Sequence, residues 1–273
     1  MYEAYWQLNH RPFENVSDAD FYYPGEGHQG ALLKLRYCIE NKKGAALLAG
    51  DHGSGKTLVV DMLARQLPEE YQPFVHVVFP QMPPADLLSF LAEEFSAQDQ
   101  NAAPRSMDQS VRSLQRSLAE NTERGRHAVI AIDEAHLLED NACWEALRLL
   151  MNFRSNGHPD LTFLLIGQMP VLSTINRMPS WEERLNVKCL LKSLTLDETA
   201  CYLQHRLVAA GGRPEIYSPE AVTTIHRLAE GMPRRINRLA DLALVVGYAE
   251  ELDQIGAAEV EAVCEELITV GAE

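Results

Sequence analysis

The stretch Gly50-Asp51-His52-Gly53-Ser54-Gly55-Lys56-Thr57, preceded by the apolar run 45–49, constrains this chain more than any other. It fits the pattern G-x-x-x-x-G-K-[ST]. In such a loop glycines let backbone N–H groups turn inward around a phosphate, and the helix that follows presents its positive end. The lysine reaches the outer phosphates and the final hydroxyl coordinates magnesium. Both required flanks are present, a strand-like run before and a helical period over 57–66 after. The expectation is an ATP-binding loop made by Gly50, Asp51, His52, Gly53, Ser54, Gly55, Lys56 and Thr57, with Lys56 also serving catalysis and Thr57 holding Mg²⁺.

Four further apolar runs, 74–79, 128–132, 161–166 and 187–191, read as buried strands. Continuous rather than alternating apolarity predicts a sheet covered on both faces, as parallel sheets are. Helical patterns at 57–66, 85–95, 108–121 and 141–153 lie between the runs. The alternation predicts the α/β class, a five-stranded parallel sheet with flanking helices. The polar segment 97–106 reads as a surface loop joining two helices. After Lys192 the strand signal stops and four helical patterns follow, 196–210, 218–229, 233–249 and 257–267, separated by glycine-bearing turns. The predicted organisation is a nucleotide-binding α/β domain over 1–192 and a small all-α lid over 193–273.

The run 128–132 leads into Asp133 and Glu134. Carboxylates at the C-terminal end of a parallel strand lie where ligands bind in open α/β sheets. Asp133 is expected to share the Mg²⁺ shell with Thr57, and Glu134 to orient and polarise an attacking water. Gln168 ends the next strand and would position that water from the other side, a solvated loop glutamine being the alternative. Arg184, ahead of the last strand, and Arg234, at a helix start marked by Gly231 and Pro233, are candidates to stabilise charge on a transferring phosphate. A surface salt bridge is the ordinary use of either. His28, His52, His76 and His136 show no ligand spacing and read as structural.

Composition narrows the class. No apolar run approaches the roughly 18 residues of a membrane helix. The first twenty residues lack a basic stretch followed by an apolar block, so a cytoplasmic location is expected. Five cysteines, an odd number without a C-x-x-C pair, argue against both a disulfide framework and a zinc site. The 39 acidic against 24 basic residues leave a net charge of -15. That field repels nucleic acid unless basic residues gather on one face, so nucleic acid is not favoured as a partner.

Together the loop 50–57, the Asp133-Glu134 strand end, Gln168, the pre-strand Arg184 and the G-x-P-R at 231–234 within a helical lid resemble the AAA+ ATPases. More narrowly, PFENVSDADFYYPGEGHQGALLKLRYCIENKKGAALLAGDHGSGKT, LRLLMNF, LLIGQ, SLTLDETACYLQHRL and GMPRRINRLADLALV resemble the ExeA-type ATPases of general secretion pathways, over about residues 2–267. The resemblance implies ATP hydrolysis, with nucleotide state read through Gln168 and Arg234. It implies a homo-oligomer, a ring or partial ring, in which Arg184 acts on the next subunit's ATP. It also places the adenine against the segment 11–27, on the N-terminal side of the domain (about 1–44), with contacts from Pro12, Phe13, Tyr22 or Tyr23. Those side chains fit plain core packing equally well. The implied role is a motor or switch that assists an envelope machine, with a membrane-protein partner that holds it at the inner membrane. Family members typically continue into a membrane span and a peptidoglycan-binding domain, and direct cell-wall contact is not expected of these 273 residues. The family's usual GQP reads Gly167-Gln168-Met169, and the arginine it tends to place after the finger candidate reads Lys188. Two alternatives share the same core. One is a DNA-associated AAA+ regulator of the transposition or initiator kind, for which Arg227, Arg234, Arg235 and Arg238 could gather on one lid surface. The other is a nucleotide-gated scaffold that hydrolyses weakly.

Overall fold

The computed structural model describes residues 1–14, 21–96, 106–155 and 157–270. In chain order the strands are β1 (Ala45–Gly50), β2 (Phe74–Val77), β3 (Ala128–Ile132), β4 (Arg154–Ser155), β5 (His158–Pro159), β6 (Leu161–Gly167) and β7 (Leu185–Leu191). Five of them pair in parallel in the order β2-β3-β6-β1-β7, while β4 and β5 form a separate antiparallel ribbon. The helices are α1 (Glu26–Glu40), α2 (Lys56–Gln66), α3 (Pro84–Phe95), α4 (Met107–Glu123), α5 (Asn141–Leu150), α6 (Pro170–Asn176), α7 (Pro179–Glu182), α8 (Leu196–Ala209), α9 (Pro219–Ala229), α10 (Pro233–Ala249) and α11 (Ala257–Val270).

The chain divides into two compact units. One comprises Gly30–Asp51 and Val59–Leu191 and holds the sheet; the other comprises Met1–Gln29, His52–Leu58 and Lys192–Glu273 and carries α8 to α11. In the sheet unit every residue of β1, β3 and β6 is buried, which is why these runs are apolar without alternation. Successive side chains go to opposite faces. Leu47, Ile130, Phe163 and Leu165 join a cluster with Leu87 and Leu91 of α3, Leu114 and Leu118 of α4, Trp144 of α5 and Trp181 of α7. Leu48, Val129, Leu164 and Ile166 join another with Leu35 and Ile39 of α1 and with Val59, Val60 and Leu63 of α2. Each such aliphatic side chain, fully buried, contributes about 1.5–3 kcal/mol.

The helical unit has its own core, in which Trp6, Leu8 and Phe13 pack with Leu203, Leu207, Ile225, Ile236 and Leu244. The Trp6 indole N–H donates to the Leu244 carbonyl at 3.0 Å. Helix α8 starts with a reciprocal cap, the Thr195 hydroxyl accepting from the Glu198 N–H while the Glu198 carboxylate accepts from the Thr195 N–H. Ser218 caps α9 by accepting from the Ala221 N–H.

The α/β class, the five-stranded parallel sheet and the helical C-terminal region are those predicted. Several details differ. β2 stops at Val77, leaving Val78 and Phe79 67% and 65% exposed, because an apolar run need not end where pairing does. α5 ends at Leu150, short of residue 153, where the chain turns into the β4–β5 ribbon. The N-terminal segment, expected with the α/β domain, falls in the helical unit as residues Met1–Gln29, since its apolar side chains pack there. Helix α1 was not anticipated: Leu33 and Tyr37 are exposed on it, which blurs its apolar stripe. Of the expected loop at 97–106 only Ser106 is among the described residues, and it caps α4.

Candidate nucleotide site

In the parallel sheet, β6 lies between β3 and β1, with Ala49 opposite Gly167 and Ile132 opposite Leu165. The C-terminal ends of these strands therefore bring Gly50, Asp133 and Gln168 to one edge, where ligands bind in open α/β sheets. Asp133 is buried, and its Oδ1 accepts from the Glu134 N–H at 2.8 Å. Its Oδ2 lies 3.5 Å from His76 Nε2, and His76 Nδ1 lies 4.0 Å from Asp61 Oδ1. Glu134 has φ +48° and ψ +37°, a left-handed conformation that a non-glycine residue keeps only when its surroundings impose it, and one that clusters at functional sites. Its Oε2 is 3.2 Å from His136 Nδ1, and the same nitrogen accepts from the Gln168 N–H at 3.3 Å. His136 thus sits beside both Glu134 and Gln168. His76 and His136, read from the sequence as structural, are neighbours of the site; the contacts of His76 with Asp61 and Asp133 and of His136 with Gln168 join distant segments and leave no local spacing to find.

The same segment is braced from behind. The Trp144 indole N–H donates to the Leu138 carbonyl at 2.8 Å, and the Trp181 indole N–H donates to the Trp144 carbonyl at 3.0 Å. The two rings meet edge to face with centroids 5.4 Å apart. Leu138 lies four residues past Glu134, and Trp181 three before Arg184.

The loop after β1 has Gly53 at φ +81° and Gly55 at φ +92°, conformations that glycine adopts freely. A Cβ at Gly53 would stand 2.7 Å from the Arg234 Cβ, and one at Gly55 would stand 2.9 Å from His28 Nε2. His28 is buried and hydrogen-bonds the Ser54 carbonyl at 2.9 Å. A carbonyl only accepts, so Nε2 carries the proton. Burial lowers the His28 pKa, which keeps the ring neutral. On the other side the Arg234 N–H donates to the Gly53 carbonyl at 3.3 Å, and its Nη1 donates to His52 Nε2 at 2.6 Å. The loop runs into Lys56, buried at the first position of α2, and Thr57, exposed at the second. Within the helical unit, backbone N–H groups at a helix start, an ammonium and a hydroxyl form a donor set that fits a polyphosphate, and in the sheet unit the strand-end carboxylate of Asp133 is of the kind that holds a hard divalent cation such as Mg²⁺.

A cavity in the helical unit is lined by Phe21, Tyr23, His28, Gly55, Tyr202 and Arg206, among others. The Arg206 guanidinium lies 4.9 Å from the centre of the Phe21 ring, and Tyr23 and Tyr202 meet edge to face at 5.7 Å. Arg206 is buried and donates from Nε to the Pro12 carbonyl at 2.5 Å and from Nη2 to the Glu14 carbonyl at 2.7 Å. Of the contacts expected for a base, Tyr23 lines the cavity and Phe21 joins it without having been singled out. Phe13 does not line it: its ring is in the helical core, 6.0 Å from that of Tyr217. Pro12 is buried and meets Arg206 through its carbonyl.

Arg184 sits elsewhere. It precedes β7, whose first residue, Leu185, pairs with Ala45 at the start of β1. At about 3.3 Å per residue, the five steps from Ala45 to Gly50 put that strand end roughly 17 Å from the Gly50 end. Arg184 Nη2 donates to Asn152 Oδ1 at 2.9 Å.

Residues 39–175 match the AAA domain family. General secretion pathway protein A of Aeromonas hydrophila is 33% identical over 254 residues, which are 91% of this chain and 45% of that protein. The chain therefore spans under half the length of this relative. Among solved structures, the Aeropyrum pernix ORC2 protein in its ADPNP-ADP complexes overlays with a TM-score of 0.70 at 16% identity, over 94% of this chain and 71% of that one. Cdc6p from Pyrobaculum aerophilum overlays with a TM-score of 0.72 at 16% identity, over 93% and 70%. The Thermotoga maritima RuvB Holliday junction branch migration motor overlays with a TM-score of 0.59 at 19% identity, over 92% and 72%. At these identities the structural likenesses are of fold. The chain belongs to the AAA+ family of P-loop ATPases. Its likeness to General secretion pathway protein A assigns it to the ExeA-type branch that its own motifs resemble.

Proposed function

We propose that the chain is a magnesium-dependent ATPase whose nucleotide cycle drives or switches the assembly of a partner complex. The observation that supports this most is the loop 50–57, with left-handed glycines at 53 and 55 opening directly into Lys56 and Thr57 at the start of α2. Its N–H groups and the Lys56 ammonium grip the phosphates. Thr57 and Asp133 would hold Mg²⁺, which when bound neutralises charge on the phosphate oxygens. Glu134 orients and polarises the attacking water, with Gln168 positioned to fix it from the neighbouring strand end. Arg234 responds to the terminal phosphate. Arg184, at the far edge of its own sheet, serves the ATP of a neighbouring subunit in a ring or partial ring. The base stacks in the cavity walled by Phe21, Tyr23 and Tyr202, with Pro12 and Phe13 supporting the segment that carries the first two.

The likeness to General secretion pathway protein A supports an envelope-associated machine as the assembly served, reached through a membrane-protein partner. Among the described residues no helix is long and apolar enough to cross a membrane. Phosphate release from Mg-ATP, measured for the wild type beside Glu134→Gln, tests the enzyme assignment. Turnover in the wild type and its loss in the variant are expected. Equal rates would remove Glu134 from its role, and absence of both ATP binding and turnover in the wild type would remove the function.

A further inference from the structure

Arg234 is held to the phosphate loop at three points. Its N–H donates to the Gly53 carbonyl, its Cβ occupies the space that a side chain at 53 would need, and its Nη1 donates to His52 Nε2. A guanidinium has donors only, so the imidazole accepts through a bare Nε2 and carries its proton on Nδ1. Among the described residues Arg234 makes no ion pair with a carboxylate; its guanidinium rests on a neutral, exposed ring. His52 stands at a position that the loop pattern leaves open, so phosphate binding by backbone N–H groups does not account for it.

We propose that His52 is a positioning residue for Arg234, the resting partner that holds the guanidinium on the loop until a terminal phosphate displaces it. The inference rests on the loop being a nucleotide site and adds how the site tells a triphosphate from a diphosphate. A phosphate oxygen accepts a charge-assisted hydrogen bond about twice as strong as one between neutral groups, so it wins the guanidinium from the imidazole. A diphosphate lacks the terminal group and leaves Arg234 on His52. The start of α10 then keeps its Gly53 anchor in both states and exchanges only the side-chain bond. His52 sets the free energy of that exchange, and with it the preference for ATP over ADP.

The test is calorimetric titration with Mg-AMP-PNP and with Mg-ADP of the wild type, His52→Ala, His52→Gln, Arg234→Ala and the double variant His52→Ala/Arg234→Ala. Removing the competing acceptor is expected to tighten AMP-PNP by roughly three- to tenfold, the range of one modest hydrogen bond, and to change ADP by at most about twofold. His52→Gln retains a side-chain acceptor and is expected to stay near the wild type. In the Arg234→Ala background the His52 substitution should change nothing. Equal shifts for both nucleotides, or the same tightening without Arg234, would overturn the inference. A wild type that binds neither nucleotide would overturn the nucleotide site itself, a result distinct from binding that ignores His52.

Discussion

Glu134 holds a left-handed backbone with its carboxylate beside His136, and Asp133 fixes its N–H. Glu134→Gln preserves shape and removes the charge proposed to polarise water. Turnover is expected to fall by about 10²–10⁴ with nucleotide affinity retained, as steady-state rates beside a binding titration will show. Lys56→Ala should abolish binding, and turnover with it. A second residue governs pH behaviour. His127 is buried, with Nε2 2.9 Å from Thr162 Oγ1; since that hydroxyl donates to the Lys43 carbonyl, it accepts from the ring. Burial pushes the His127 pKa from 6.5 down to about 4, and the same cause lowers His28 and His205. An imidazole that is neutral when folded and charges on unfolding contributes stability that is complete above about 6.5 and lost as pH falls toward 4. Urea midpoints should therefore drop between pH 7 and pH 5, and His127→Gln should flatten that part of the profile.

Helix α8 shows how an element carries a site it does not touch by sequence. Its reciprocal cap at Thr195 and Glu198 starts the helix that presents Tyr202 and Arg206 to the cavity wall. Arg206 ties down the carbonyls of Pro12 and Glu14 with its planar fork and lies over Phe21. Arg206→Ala leaves the buried Pro12 carbonyl without this donor and removes the bond to the carbonyl of the exposed Glu14, and is expected to destabilise the helical unit by about 1–3 kcal/mol. Arg206→Lys should not restore it, because an ammonium cannot reproduce the fork; thermal melts and hydrogen exchange over residues 1–14 provide the check. Strands β1, β3 and β6 and the loop 50–57 could be read from the chain because their signals are local: unbroken apolar runs and glycine spacing. The bond between His52 and Arg234, 182 residues apart, could not, and neither could the meeting of His136 with Gln168. Phe13 illustrates the same limit. Its aromatic character suits either a base or a core, and only packing against Tyr217 decides for the core.

At the scale of the molecule, residues His52–Leu58, the cavity lined by Phe21, Tyr23 and Tyr202, and Arg234 belong to the helical unit, while Asp133, Glu134, Gln168 and Arg184 belong to the sheet unit. Binding and turnover should accordingly be separable by substitution. If Arg184 acts on a neighbouring subunit, Arg184→Ala and Glu134→Gln are each inactive alone, yet a mixture should regain turnover, because the Glu134→Gln chain supplies the arginine to an intact carboxylate on its neighbour. A mixture as inactive as its parts would assign Arg184 to its own chain. The net charge of -15 predicts weak binding to duplex DNA, with a shallow dependence on salt in a fluorescence-anisotropy titration. The tryptophan brace gives this molecule something more. Of its three indoles, Trp6 belongs to the other unit, and the remaining two are hydrogen-bonded in series behind the Asp133–Leu138 segment. With Trp6→Phe, tryptophan emission would come from that pair alone, so the protein carries a native optical gauge of strain at its proposed hydrolytic centre, with no dye attached.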